Sequence, residues 1–218
     1  MSVRQQRSAE IRSRVLDAAL HTFHAKGYHG SSVNEVAQAA GISVPGLYHH
    51  FATKQDLLAT ILGEGVRELF ERLERAVETD GLSPAERLDR LVRTLATYQA
   101  MHAVSSFLFV SELRSLEPDN RARINHYRLA IQHLFDDVVI DGVREGVFTT
   151  DMPLDVSRSI VVLCTNISGW FQASGPLTAE QVAERHVRMA RGLVFTVEGW
   201  PTVARHGPES LAGQRATS

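Results

Sequence analysis

Apolar residues recur along this chain at three- and four-residue intervals almost from end to end, and nowhere do four to eight positions alternate cleanly with β-branched side chains. That pattern predicts an all-α protein. The first helix is expected from about Ala9 to Lys26, with Ile11, Val15, Ala18, Ala19 and Phe23 as its apolar stripe and Gly27 as its stop. Ser32 then caps a short second helix, with Glu35 three residues on completing a capping box, Val33, Val36, Ala37 and Ala40 facing inward, and Gly41 ending it. Ser43 caps a third helix, short because Thr53 already caps the fourth. The fourth runs from Lys54 to about Glu78, with Leu57, Leu58, Ile61, Leu62, Val66 and Leu69 on its inner side.

After "TDGLSPAE", Ser83 as cap, Pro84 at the first helical position and Glu86 at the third open a helix reaching about Ala103. Further helices are expected over Ser105 to Ser115, Pro118 to Gly146 and Leu154 to Ala173, the last ended by "SGP". The final helix starts at Thr178, with Gln181 completing the box and Leu177 stapled to Val182, and continues to about Val197. The periodicity divides the chain into a three-helix unit over residues 1–55 and a larger helical body over residues 56–199, joined inside the fourth helix. Residues 200–218 have nothing to bury and are expected to be a disordered tail.

At 218 residues and 44% hydrophobic content the chain can bury a proper core. Its single cysteine, Cys164, allows no internal disulfide and points to a reducing cytoplasm. The N-terminus lacks the apolar segment of a signal peptide, and there is no run of about 18 or more apolar residues, so no membrane partner is expected. The net charge of −2 is unevenly spread: residues 1–60 hold six Lys or Arg against four Asp or Glu, and the remainder 17 against 21. Arg4, Arg7, Arg12 and Arg14 crowd the first turns. A basic module ahead of an acidic body suits phosphate binding at one end, though a solvated tail would look the same.

The stretch "AGISVPGLYHHF" supplies the chemistry. Two short helices joined by a tight turn with a glycine form the helix-turn-helix pattern, in which the second helix offers its first turn to base edges while its inner face is anchored. Leu47 and Phe51, four apart, are the anchor, so Val44, Pro45, Tyr48 and His49 face outward. The string "SSVNEVAQAAGISVPGLYHHFATKQDLL" resembles the DNA-binding domain of TetR-family transcriptional regulators, and the resemblance covers residues 8–60. It implies a sequence-specific, DNA-binding regulator: a ligand-responsive repressor acting as a homodimer on a double-stranded, palindromic operator, with no cofactor. Roles follow by position. Val44, Pro45 and His49 become base-edge or groove-wall contacts, Gly46 lets the helix sit close, and Ser32, Ser43, Tyr48 and Lys54 reach phosphates. His50 is left with two roles, phosphate contact or packing below Tyr48.

An enzyme is not indicated, since no nucleophile elbow, phosphate-binding loop, zinc-protease or dinucleotide motif occurs. Cys164, among apolar neighbours, reads as core. Adjacent His49 and His50 point about 100° apart and make a poor chelate, and His21 and His24 have no completing partner, so no metal is expected. A helical adaptor would leave the outward Tyr48–His49 pair unexplained.

In the body, the expected helix from Leu154 to Ala173 is apolar nearly all round, which implies its own core on one side and something else on the other. With the final helix it is the natural half of a four-helix dimer interface, with Ile160, Ile167, Met189 and Leu193 as contacts. An effector cavity among the central helices has Tyr98, Phe107, Tyr127 and Trp170 as apolar candidates, and His102, Glu112, Arg114, His126 and Asn166 as polar ones. Each aromatic suits plain core better than a cavity wall, and the polar residues are the stronger clue. "SELRSLEPDNRARI" and "DGVREGVF" are similar to the subgroup of the family that senses acyl-coenzyme A thioesters, which implies an acyl-coenzyme A or another apolar acid as effector.

Overall fold

The computed structural model describes residues 2–195, which form nine α-helices and two short 3-10 turns. Helix α1 (Val3–Lys26), α2 (Val33–Ala40) and α3 (Val44–His50) make the N-terminal unit. Each start has a chemical cause. Ser2 and Gln5, and Ser32 and Glu35, form reciprocal capping boxes, and the Ser43 hydroxyl accepts from the Gly46 amide. Gly41, at φ 65°, ends α2 in the left-handed conformation and turns the chain into α3. Val15, Ala19, Phe23, Val36, Ala37, Leu47 and Phe51 are the buried residues that hold the three helices together.

Helix α4 (Lys54–Val77), capped by Thr53 and Asp56, carries the chain out of this unit without a break. The body adds α5 (Pro84–Met101), α6 (Ala103–Glu112), a 3-10 turn (Leu113–Ser115), α7 (Pro118–Arg144), α8 (Pro153–Thr165), a 3-10 turn (Asn166–Gly169) and α9 (Ala179–Leu193). Helix α5 is the central post, packed against α4, α7, α8 and α9, and its C-terminal half is buried on nearly every side. Ion pairs Arg87–Asp141 at 2.9 Å and Arg93–Glu184 at 2.7 Å pin its flanks to α7 and α9. Helix α6 packs on α1 as well as on α4 and α5, so it belongs to both units.

Four expected boundaries move. Helix α1 begins six residues before Ala9, because the Ser2 cap starts it where exposed Gln and Arg leave no apolar period to read. His102 closes α5 and opens α6 in one residue, at φ −110° and ψ 35°. Helix α8 stops at Thr165, well short of Ala173, because Asn166, Ser168 and Gly169 support a tighter turn better than a helix. Helix α9 ends at Leu193, before the expected Val197, and the Val194 carbonyl accepts the Thr149 and Thr150 amides instead; Val197 itself and the tail over residues 200–218 lie outside the described residues. Among the described residues, no helix is long and apolar enough to cross a membrane.

Candidate nucleic-acid interface and interior cavity

Helix α3 is held from one side. Leu47 is fully buried and Phe51 nearly so, while Pro45, Tyr48 and His49 are exposed and Val44, Gly46 and His50 are half-buried. A Cβ at Gly46 would stand 3.2 Å from the Ser43 hydroxyl, so the glycine also keeps the helix cap undisturbed. The His49 and His50 rings meet edge-on, 5.4 Å apart, and no group of three or more metal-ligating side chains occurs among the described residues. Ser32 is exposed at the start of α2, where Glu35 accepts from both its amide and its hydroxyl. The Lys26 ammonium, and then the Ser32 donors, hold the Glu35 carboxyl down to about 2.

Lys54 departs from expectation. Its ammonium donates to the carbonyls of Tyr28 and Ser31 and sits over the Tyr28 ring, so it ties α4 to the turn before α2 rather than pointing outward for a phosphate. Partial burial lowers its pKa. Two of the four N-terminal arginines are likewise internal fasteners: Arg12 pairs with Glu64 at 2.8 Å, and Arg14 donates to the Ala40 carbonyl at the end of α2. Arg4 and Arg7 stay exposed on the first turns of α1.

The body encloses a cavity of about 560 Å³ between α4, α5, α6, α7 and α8. Its wall is mostly apolar, with Leu62, Val66, Leu95, Phe109 and Ile131 among the lining side chains. The exposed residues Val110, Leu129 and Val162 mark the mouth, where Arg128 is the cation on the wall. Tyr98 lines the cavity as the sequence suggests, but its hydroxyl donates to the Gly65 carbonyl at 3.0 Å, and burial pushes its pKa to about 12.

The other eight expected ligand residues are elsewhere. His102 stacks on Tyr98 at the α5–α6 corner, and Phe107 is edge-on to His24 of α1. Glu112 accepts the Tyr28 amide at 3.1 Å, linking the two units. Arg114 and His126 are exposed. Tyr127 packs against Phe70, Asn166 is exposed in its 3-10 turn, and Trp170 lies parallel to His186 on the surface. Periodicity identifies which helical faces are apolar but not which of them enclose space, and so it missed Gln99, Ser106 and Arg128 on the wall.

Comparison with known proteins agrees with this geometry. The family described as "Tetracyclin repressor-like, C-terminal domain" matches residues 81–194, more than half of the chain, and "Bacterial regulatory proteins, tetR family" matches residues 15–61. This chain belongs to the TetR family. It is therefore a DNA-binding transcriptional regulator rather than an enzyme, and regulators of this family bind operator DNA, act as dimers and respond to small molecules. The HTH-type transcriptional repressor KstR2 of Mycobacterium tuberculosis (strain H37Rv) is 29% identical over 192 residues, covering 86% of this chain and 94% of that protein. A tetR-family regulatory protein from Rhodococcus RHA1 superposes with a TM-score of 0.80 at 26% identity, covering 86% of this chain and 98% of the other. AibR, solved with isovaleryl coenzyme A and operator DNA, gives a TM-score of 0.75 at 25% identity, covering 82% and 97%.

In this TetR-family chain the dimer contacts expected at Ile160 and Ile167 need correction: both are buried within the protomer, at 1% and 0% exposure. Ile160 lies on α8 with buried Val156 and Cys164, and Ile167 in the 3-10 turn that follows; α8 packs against α7, α5 and α9. Burial pushes the Cys164 thiol up to about 12. Met189 and Leu193 of α9 are exposed, as are Leu154, Val162 and Leu163 of α8.

Proposed function

We propose that this chain is a cytoplasmic, ligand-responsive repressor that binds a palindromic operator as a homodimer. The observation that carries the reading is helix α3, anchored by buried Leu47 and Phe51 and offering Pro45, Tyr48 and His49 to solvent. A seven-residue helix with that distribution has its functional partner outside the protein. Val44 and Pro45 suit apolar features such as a thymine methyl, and His49 can hydrogen-bond a base edge. Tyr48, Ser32, Ser43 and the amides of the helix starts suit phosphates, with Arg4 and Arg7 adding unspecific attraction. His50 is half-buried and lines a shallow polar cleft with Arg12 and Phe51, which favours packing over phosphate contact.

Dimerisation through the outer faces of α8 and α9 is supported by exposed Leu163, Met189 and Leu193. Gly192 supports it too, since a Cβ there meets nothing within 4 Å in the protomer, yet a helical glycine costs about 1 kcal/mol relative to alanine. The 560 Å³ cavity supports an apolar effector, with Arg128 at the mouth for an anionic end. An acyl-coenzyme A thioester fits that description, and the isovaleryl coenzyme A complex of AibR lends it support. Repression is supported by the full-length likeness to KstR2, itself named a repressor.

Selection of duplexes from a random pool by the purified dimer tests this reading. An enriched palindrome with half-sites about one helical turn or a multiple apart is expected. Tyr48→Ala should weaken binding to every sequence by a similar factor, and His49→Ala should relax preference at one position per half-site. Enrichment of no palindrome, or unchanged affinity in Tyr48→Ala, overturns the docking geometry.

A further inference from the structure

Most polar side chains on the cavity wall already have partners within the protein. The Tyr98 hydroxyl donates to the Gly65 carbonyl at 3.0 Å, Ser105 to the His102 carbonyl at 3.1 Å, and Thr165 to the Val162 carbonyl at 3.1 Å. Gln132 donates to Asp136 at 2.8 Å, and Arg128 to Asn125 at 3.0 Å. Gln99 differs. It is only 6% exposed, and its Oε1 is buried with no hydrogen-bond partner in the protein. The residue sits on α5, the most deeply buried helix, among the apolar side chains Leu95, Leu62 and Val66 that line the same cavity.

A buried amide oxygen without a partner is costly, so whatever fills the cavity decides whether Gln99 is satisfied. In this conformation the oxygen is closed to solvent, and a turn of the amide about its terminal bond brings it to the cavity. An occupant either donates to the turned amide oxygen or leaves it unpaired in an apolar surrounding. A plain hydrocarbon body cannot donate, whereas one bearing a hydroxyl can donate to Oε1.

We propose that Gln99 is the specificity-determining residue of the cavity, selecting apolar acids that carry a hydroxyl within the hydrocarbon body over their unsubstituted parents. The assignment rests on the reading of this cavity as the effector site. It adds a second recognition point, inside the pocket, to the charged end met at the mouth.

Isothermal titration of the full-length dimer with matched probes tests it. The probes are octadecanoic acid with a positional series of its monohydroxy derivatives, and 5β-cholanoic acid with its monohydroxy derivatives. They are titrated into wild type, Gln99→Leu and Gln99→Met, two replacements of similar volume that keep the fold. For at least one hydroxylated member, the affinity relative to its parent should fall by about tenfold from wild type to both variants, because the hydroxyl then loses its acceptor. The parent acids should bind the variants at least as tightly as wild type. A ratio unchanged within about twofold in both variants overturns the role of Gln99 while leaving the cavity as the effector site. Failure of every probe to bind wild type overturns the cavity reading and the assignment together.

Discussion

Gly142, on α7, has no freedom to become anything larger. A Cβ built there would stand 2.1 Å from the ring of Phe148, itself 4% exposed in the turn that leads to α8. Both the Val147 and Phe148 amides donate to the Gly142 carbonyl, so the ring cannot retreat without breaking the turn. Gly142→Ala is expected to cost about 1–3 kcal/mol through overpacking, and a thermal melt should show a midpoint lower by several degrees. Nothing in the pattern of apolar positions marks this glycine, since a sequence shows which residues are small but not what stands over them. Lys54 teaches the same lesson. Its place in the helix-turn-helix string suggests a phosphate, yet its ammonium donates to the Tyr28 and Ser31 carbonyls of its own chain.

At the scale of the element, most helix starts were legible because a cap is local chemistry, and the Ser2 cap of α1 was missed where no apolar period follows it. Ser32 with Glu35, Thr53 with Asp56, Ser83 with Glu86 and Thr178 with Gln181 all form their boxes. The Glu35 box gives a titration with a definite sign. Its carboxyl falls from an ordinary value of 4.5 to about 2 in the fold, so the folded state holds its proton less tightly than the unfolded chain. The stabilisation is complete above about pH 4.5 and is lost as pH falls through about 2. Carboxyl-detected NMR should follow that titration, and Lys26→Met should move the midpoint upward by removing its main cause.

Helix ends and faces were less legible, because both depend on neighbours. The apolar residues of α8 could be recognised, but not which turned inward, and so Ile160 was expected at the interface it does not reach. Leu163→Glu and Met189→Glu should yield folded monomer, since dimerisation would bury an unpaired charge at a cost of several kcal/mol. Ile160→Glu should unfold the protomer instead. Light scattering beside circular dichroism separates the two outcomes, and a fully dimeric Leu163→Glu variant would place the interface elsewhere.

Across the whole molecule, the proposed effector cavity and the reading helix must share free energy, and α6, which lines the cavity and packs on α1 of the N-terminal unit, is the element between them. It contributes Ser106, Phe109 and Val110 to the cavity wall, and its last residue, Glu112, accepts the Tyr28 amide at 3.1 Å in the turn before α2. The Ser115 hydroxyl donates to Glu112 at 2.7 Å, and Gln55, in the first turn of α4, donates to the Ser115 carbonyl at 2.7 Å and accepts the Glu117 amide at 3.3 Å. These bonds join the start of α4, the end of α6 and the turn ahead of α2 into one unit, so a ligand that displaces α6 also moves the base of the DNA-reading helices. An effector that lowers operator affinity tenfold carries about 1.4 kcal/mol of differential binding, and operator DNA must weaken effector binding by the same factor. Glu112→Ala and Gln55→Ala should each uncouple the sites by about 0.5–2 kcal/mol, measured as the operator affinity ratio with and without saturating effector. Effector affinity in the absence of DNA should change little, because neither side chain lines the cavity. If both variants kept the full ratio, coupling would have to run through the packing of α6 on α1 or along α4, from Leu62 and Val66 in the cavity wall to Lys54 at its start.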